Sequence, residues 1–369
     1  MNLFIMLAQG FFFILGGWYF FEMIASGNQD RKAIGEEDKS ECERINKAEK
    51  ISLGTPLTEK ARPSSFDEII GQEKAVKALR VALFGQSPQN IIIYGPPGVG
   101  KTAAARIALK EAKLSDGTPF LPDAGFIEID ATTLRYDERS FADPLMGSVH
   151  DPIYQGAGAY GSGGIPQPKP GAVTKAHGGV LFIDEIGELS PTQLNKLLKV
   201  LEDRRVYFES AYYSKNNKNI PHYIHSIFRN GLPADFRLIG ATTRSPSEIP
   251  DALRSRCCEI FFLPLGYSHI MQIVKNAAKR LCMHIEKDAA ELLCMYISNG
   301  RDAVRIVETV ASLCRLEKRN VIKKSDVRWA IVNGRFEKKR NDTPNIFPKK
   351  QPPKRSSNEK IIDMSSYIK

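Results

Sequence analysis

The chain has no CxxC pair among its six cysteines and no HxxxH or HExxH spacing among its six histidines. Cys42, Cys257, Cys258, Cys282, Cys294 and Cys314 follow no regular interval, so neither a zinc ribbon nor a disulfide framework suits them. Reduced thiols in a cytosolic compartment do. Charge is nearly absent from Leu3 to Ile24, LFIMLAQGFFFILGGWYFFEMI, where Glu22 stands alone. About 20 such residues span a bilayer as a helix. Trp18 and Tyr19 sit near its end, where amphipathic rings favour the interface. The stretch has no basic n-region and no small-residue cleavage site, which sets it apart from a signal peptide. Arg31 and Lys32 follow it, so the positive-inside rule leaves the rest of the chain in the cytoplasm. The expectation is a single-pass anchor in the cell membrane over 1–27 and a polar linker over 28–58.

The remainder has the makings of a core. Hydrophobic content is 42% and charged content 25% over 369 residues, an ordinary globular composition with room for two domains. The net charge of +10 is unevenly placed. Between Arg335 and Lys360 nine Lys/Arg face three acids, which accounts for +6 of it. That Lys- and Pro-rich segment, 335–369, reads as a disordered basic tail. The folded part is only mildly basic, and nucleic acid is disfavoured as its partner.

The stretch GGVLFIDEIGELS, 178–190, poses a problem of charge: the apolar run Val180 to Ile183 ends in Asp184 and Glu185. Two like charges at a buried strand end are costly unless something compensates them. The compensation is spelled at NIIIYGPPGVGKTAAARIAL, 90–109. An apolar strand runs into Gly95, Pro96, Pro97, Gly98, Val99, Gly100, Lys101 and Thr102, then an alanine-rich helix. This is GxxxxGK[ST] in a strand–loop–helix setting. Glycines let backbone N–H groups wrap phosphate, and the helix N-terminus favours the anion. Lys101 can then reach the β- and γ-phosphates of ATP, Thr102 and Asp184 can hold Mg²⁺, and Glu185 can polarise the attacking water.

Further along, Phe236 to Ala241 reads as a second buried strand ending in Thr242, Thr243 and Arg244. A hydroxyl there can meet the γ-phosphate or the water. ALRSRCCEI places Arg254 and Arg256 ahead of another apolar strand, Ile260 to Leu263. From residue 267 the pattern turns helical, with Arg305 one turn after Gly300-Arg301. The Gly-rich segment 153–171 reads as a mobile insertion, and Val206 to Asp235 as a second one.

GPPGVGKT, VLFIDE, GATTR and LRSRC, in this order, resemble an AAA+ ATPase module with its small helical lid. More narrowly, the chain resembles the ATPase part of the B-type Lon proteases of spore-forming bacteria. The stretches from DATTLRYDERSF to ESAYYS and from IPHYIHSIFRNG to LRSRC carry that likeness. The resemblance implies an α/β AAA+ P-loop core (a parallel sheet flanked by helices) over 59–264, a helical lid over 265–334 and the N-terminal transmembrane helix. It implies Lys101 and Thr102 as Walker A, Asp184 and Glu185 as Walker B, and Thr243 at the sensor-1 position with Thr242 still in play. Arg256 becomes the arginine finger with Arg254 as runner-up, and Arg305 falls at sensor 2. RPSSFDEIIGQEKAVKALR, 62–80, looks like the segment that packs on adenine through Ile69 and Ile70. Tyr154 or Tyr160 would grip a polypeptide substrate in the pore. The partners implied are copies of itself in a ring, a hexamer, and a separate peptidase or full-length B-type Lon. That family carries a Ser–Lys peptidase domain. About 35 residues follow the last lid helix here, too few for one by the usual minimum of roughly 50, so this chain is expected not to cleave peptide bonds itself. The competing reading is a nucleic-acid motor, because GATTR and SRC also occur in branch-migration motors and clamp loaders.

Overall fold

The computed structural model describes Cys42, Arg44, Ile45, Glu59 and residues 62–134, 143–150, 165–210, 213–217 and 220–336. The expected membrane anchor (1–27), the basic tail from 337 onward, Tyr154 and Tyr160 lie outside the described residues. Among the described residues no helix is long and apolar enough to cross a membrane. The chain divides between Pro56 and Leu57, and everything below belongs to the second unit, Leu57–Lys369.

A short 3-10 turn, Phe66–Glu68, precedes α1 (Glu73–Leu83), β1 (Ile91–Tyr94), α2 (Lys101–Ala112) and β2 (Phe126–Asp130). Then come β3 (Gly147–His150), β4 (Gln167–Pro170), α3 (Ala172–Lys175), β5 (Val180–Asp184) and α4 (Pro191–Asp203). β6 (Arg205–Val206), α5 (His222–Asn230) and β7 (Leu232–Pro233) form the second insertion, followed by β8 (Arg237–Thr242), α6 (Asp251–Arg254) and β9 (Cys258–Phe261). The helical end comprises α7 (Tyr267–Arg280), β10 (His284–Ile285), α8 (Lys287–Tyr296), α9 (Gly300–Leu316), β11 (Val321–Ile322) and α10 (Lys324–Asn333).

The main sheet has the order β2-β5-β8-β1-β9, and every pairing in it is parallel. All four residues of β1 are buried, as a strand covered on both faces requires. Alternate residues feed two cores. Ile91, Ile93, Phe182, Ile239 and Ile260 join α1, α2 and the lid helices on one face. Ile92, Tyr94, Leu181, Ile183 and Leu238 join α3, α4 and Leu253 on the other. Burying each such side chain stabilises the fold by about 1.5–3 kcal/mol. Ala104, Ala108 and Ala112 on α2 are wholly buried; their small side chains let that helix lie close on the sheet. The expected α/β core, a parallel sheet flanked by helices, is what these residues form.

Register then builds the crevice. Tyr94 pairs with Thr242 and Phe261, and Asp130 with Asp184, so the carboxyl ends of the strands stand level. In open α/β sheets ligands bind outside that edge. Ile165, ahead of β4, packs with Ile220 and Ile224 of the α5 segment, beside the stacked rings of Tyr213 and Phe228.

Candidate functional site

β1 delivers the chain to the sheet edge, and Gly95 N–H donates to the Thr242 carbonyl, so the loop leaves from a fixed point. The loop ends at Gly100, whose φ of 101° lies in the left-handed region that side chains resist. Gly100 is the N-cap of α2 and supplies no side-chain oxygen, so the first-turn amides of that helix stay available to an anion. Val99 is buried in the core and pins the loop from below, while Pro96 and Gly98 are half-buried and Pro97 is exposed.

Lys101 opens α2 and is only 7% exposed. Its Nζ donates to the carbonyls of Gly95 (2.5 Å) and Pro96 (3.2 Å), folding the side chain back along its own loop. Burial pushes its pKa down, against the pull of the Glu185 and Asp184 carboxylates. Asp184 is pushed up, again chiefly by burial; the Glu185 N–H, which donates to its Oδ1 at 3.2 Å, opposes the rise and the Glu185 carboxylate adds to it. Among the described residues no ion pair joins Lys101 to either acid. Lys101 and Asp184 are thus desolvated charges within electrostatic reach of each other and of Glu185, with no ion pair among the three, which is the arrangement a metal–triphosphate would complete. Thr102 follows Lys101 in the first turn of α2, partly buried.

Glu185 sits at φ 48°, ψ 48°, a left-handed conformation uncommon for a residue with a side chain. Two contacts fix it. Ile186 packs so closely on β8 that a Cβ at Gly240 would come within 2.7 Å of its side chain. The Glu185 Oε2 accepts from both the N–H and the Oγ1 of Thr243, each at 3.1 Å. Thr242, by contrast, is fully buried, and its Oγ1 accepts from the Arg244 N–H at 3.1 Å. Arg244 in turn donates through Nε (2.9 Å) and Nη2 (2.5 Å) to Glu188.

Ile69 is buried beside the loop, with its Cγ2 3.7 Å from where a Cβ on Gly100 would stand, and Ile70 is half-buried next to it. The helical end closes from above: Gly300 N–H donates to the Gly98 carbonyl at 2.9 Å. Asn299 caps α9 by accepting from the Asp302 N–H at 2.8 Å.

Of the two arginines in the first turns of α9, it is Arg301 whose charge reaches Lys101. Arg305 is directed elsewhere: it pairs with Asp302 at 2.9 Å and lies over the Phe336 ring. Sequence reasoning missed Arg301; its signal was its position immediately after Gly300 in the opening turn of a helix. Arg254 is taken up by Glu259 and Asp251. Arg256 is exposed and rests on Glu202 and the Ala252 carbonyl.

A family model described as magnesium chelatase, subunit ChlI, matches residues 65–260, which include the glycine loop, Asp184, Glu185, Arg254 and Arg256. The chain belongs to that family. It is also 53% identical over 340 residues, or 92% of its length, to Lon protease 2 of Bacillus subtilis, so the resemblance to B-type Lon holds. Competence protein ComM of Haemophilus influenzae is 29% identical over 211 residues, covering 55% of the chain. The chain spans 62% of the length of Lon protease 2 and 37% of ComM. Among solved structures, a variant of Thermotoga maritima RuvB matches with TM-score 0.51 at 24% identity, over 74% of this chain and 73% of that one. NtrX from Brucella abortus in complex with ADP matches with TM-score 0.51 at 19% identity, over 80% of this chain and 59% of its own. These likenesses establish an AAA+ fold and a relationship to Lon protease 2.

Proposed function

We propose that this AAA+ chain hydrolyses ATP within a homo-oligomeric ring, hexameric in this reading, held on the cytoplasmic face of the cell membrane by residues 1–27. The ring unfolds or remodels polypeptides. A separate peptidase or a full-length B-type Lon is its proposed partner. One observation carries the nucleotide chemistry: a buried ammonium, Lys101, lies with Asp184 and Glu185 beside the bare N-terminus of α2.

The residues divide the work. The amides from Gly98 to Thr102, with Lys101, bind and orient the phosphates, while Ile69 and Ile70 flank the base. Thr102 and Asp184 would hold Mg²⁺, which would supply positive charge beside the phosphates. Glu185, steadied by Thr243, takes the proton of the attacking water. Arg301 adds positive charge from the lid. Arg256, exposed at the end of its loop, reaches the neighbouring subunit's nucleotide.

The test is ATP turnover by the full chain in detergent, alone, with an unfolded protein, and with DNA. Stimulation by the unfolded protein is expected. Stimulation by DNA alone would overturn the polypeptide reading in favour of a nucleic-acid motor.

A further inference from the structure

Arg254 and Arg256 leave the same short segment, yet the fold uses them differently. The Arg254 Nε donates to Glu259 Oε1 at 2.7 Å, and its Nη1 reaches Asp251 Oδ1 at 3.3 Å. The same Glu259 oxygen accepts the Tyr94 hydroxyl at 3.0 Å. Tyr94 is 3% exposed, stacks on Phe261 with centroids 5.1 Å apart, and is the residue immediately before Gly95. Its strand, β1, is the direct parallel neighbour of β9, which carries Glu259. A continuous chain of hydrogen bonds therefore runs from the root of the phosphate loop, through Tyr94 and Glu259, to Arg254 in α6. Arg256 stands two residues further on. The hydrogen bond from Arg254 holds the Glu259 carboxyl below the usual range, so the link stays charged at neutral pH.

We propose that Arg254 is a positioning residue: with Glu259 and Tyr94 it ties the loop bearing Arg256 to the strand that feeds this subunit's own phosphate loop. The height at which Arg256 meets the neighbour is then set by β1 and β9 of the subunit that donates it. This rests on the ring-ATPase reading above. Misplacing a catalytic group by about 1 Å can cost on the order of 100-fold in rate, and the loss falls on the neighbour's site.

The test mixes variants of the full chain in detergent and reads ATP turnover. Lys101→Ala subunits lack a working nucleotide site but keep an intact Arg256 loop. Glu259→Gln and Tyr94→Phe subunits keep the nucleotide site; Tyr94→Phe also keeps the stacked ring, so it guards against misfolding. Each of these two alone is expected to lose about tenfold in kcat while ATP affinity moves by no more than about twofold. Mixing either with Lys101→Ala should restore turnover, because a sound loop now faces a sound site. Unchanged turnover in both single variants, or a loss that mixing does not restore, overturns the inference. Arg256→Ala mixed with Lys101→Ala is the control: if that pair is not restored either, the ring reading itself is what fails.

Discussion

At the sheet edge Lys101, Asp184 and Glu185 share a corner with no ion pair among them; in the lid Arg319 and Asp326 consume each other. Arg319 donates to Asp326 through Nη1 and Nη2, both at 2.7 Å. Asp326, 5% exposed, also accepts from the Lys323 N–H at 2.8 Å and from the Cys314 thiol. Both clusters bring opposite charges into partly buried surroundings. One is closed and has nothing left to offer a ligand. The other is left open, at a cost in desolvation that a bound metal and triphosphate offset. Satisfaction, more than the presence of charge, separates a site from a strut.

The largest effect that would sharpen this contrast is on Glu185. Glu185→Gln preserves size and hydrogen-bond acceptance from Thr243 but removes the base. We expect ATP binding to persist and turnover to fall on the order of 1,000-fold. Steady-state hydrolysis beside a nucleotide titration checks both halves; turnover at the parent rate would move the base elsewhere.

Next comes Lys101→Ala, expected to weaken ATP binding on the order of 100-fold through the lost charged contact to phosphate. Because that ammonium is buried without a carboxylate partner, its removal should leave the nucleotide-free fold as stable as before, or more so. Denaturant unfolding without nucleotide measures this. A loss of several kcal/mol there would erase the distinction between the two clusters.

The closed cluster answers to pH. Arg319 and its hydrogen bonds lower the Asp326 pKa from 3.8 to about 2. A folded-state pKa below the unfolded one gives stability that is complete above pH about 4 and drains as pH falls toward about 2. The shift amounts to about 2 kcal/mol. Asp326→Asn should forfeit a similar amount at neutral pH and flatten the acid limb of the unfolding curve. An acid limb identical to the parent's would place the lid's pH sensitivity on other groups.

Much of the site was legible because its parts are contiguous in sequence. GPPGVGKT spells both the loop and the helix that follows, and the run Val180 to Ile183 announces a strand end at Asp184. What was not legible depends on docking. The approach of α9 to the loop rests on Gly300 binding the Gly98 carbonyl, and Arg305 is held back by Asp302. The division between Arg254 and Arg256 is set by Glu259 and by Tyr94, a residue 160 positions before Arg254 that sequence spacing does not connect to it. Likewise the lid strut joins Arg319 to Asp326 through a geometry that two lid helices and their connection create, and no motif marks it.

The smallest effect separates two adjacent hydroxyls, Thr243 at the expected sensor-1 position and Thr242, which the sequence kept in play beside it. Thr243 is exposed and gives Glu185 two hydrogen bonds; Thr242 is fully buried and gives none. Thr243→Val keeps the N–H bond and the shape but drops the hydroxyl, so we expect turnover to fall by roughly three- to tenfold, the value of one hydrogen bond to a charged group, with stability held. Thr242→Val removes the acceptor of the Arg244 N–H inside the turn. Its cost should appear as about 1 kcal/mol of stability, with turnover less affected than in Thr243→Val. Measuring kcat and unfolding midpoint for both variants gives a crossed pattern if the open and closed arrangements differ as described. If both variants lost turnover alike, Thr242 too would belong to the open cluster, and burial would no longer tell a working hydroxyl from a structural one at this strand tip.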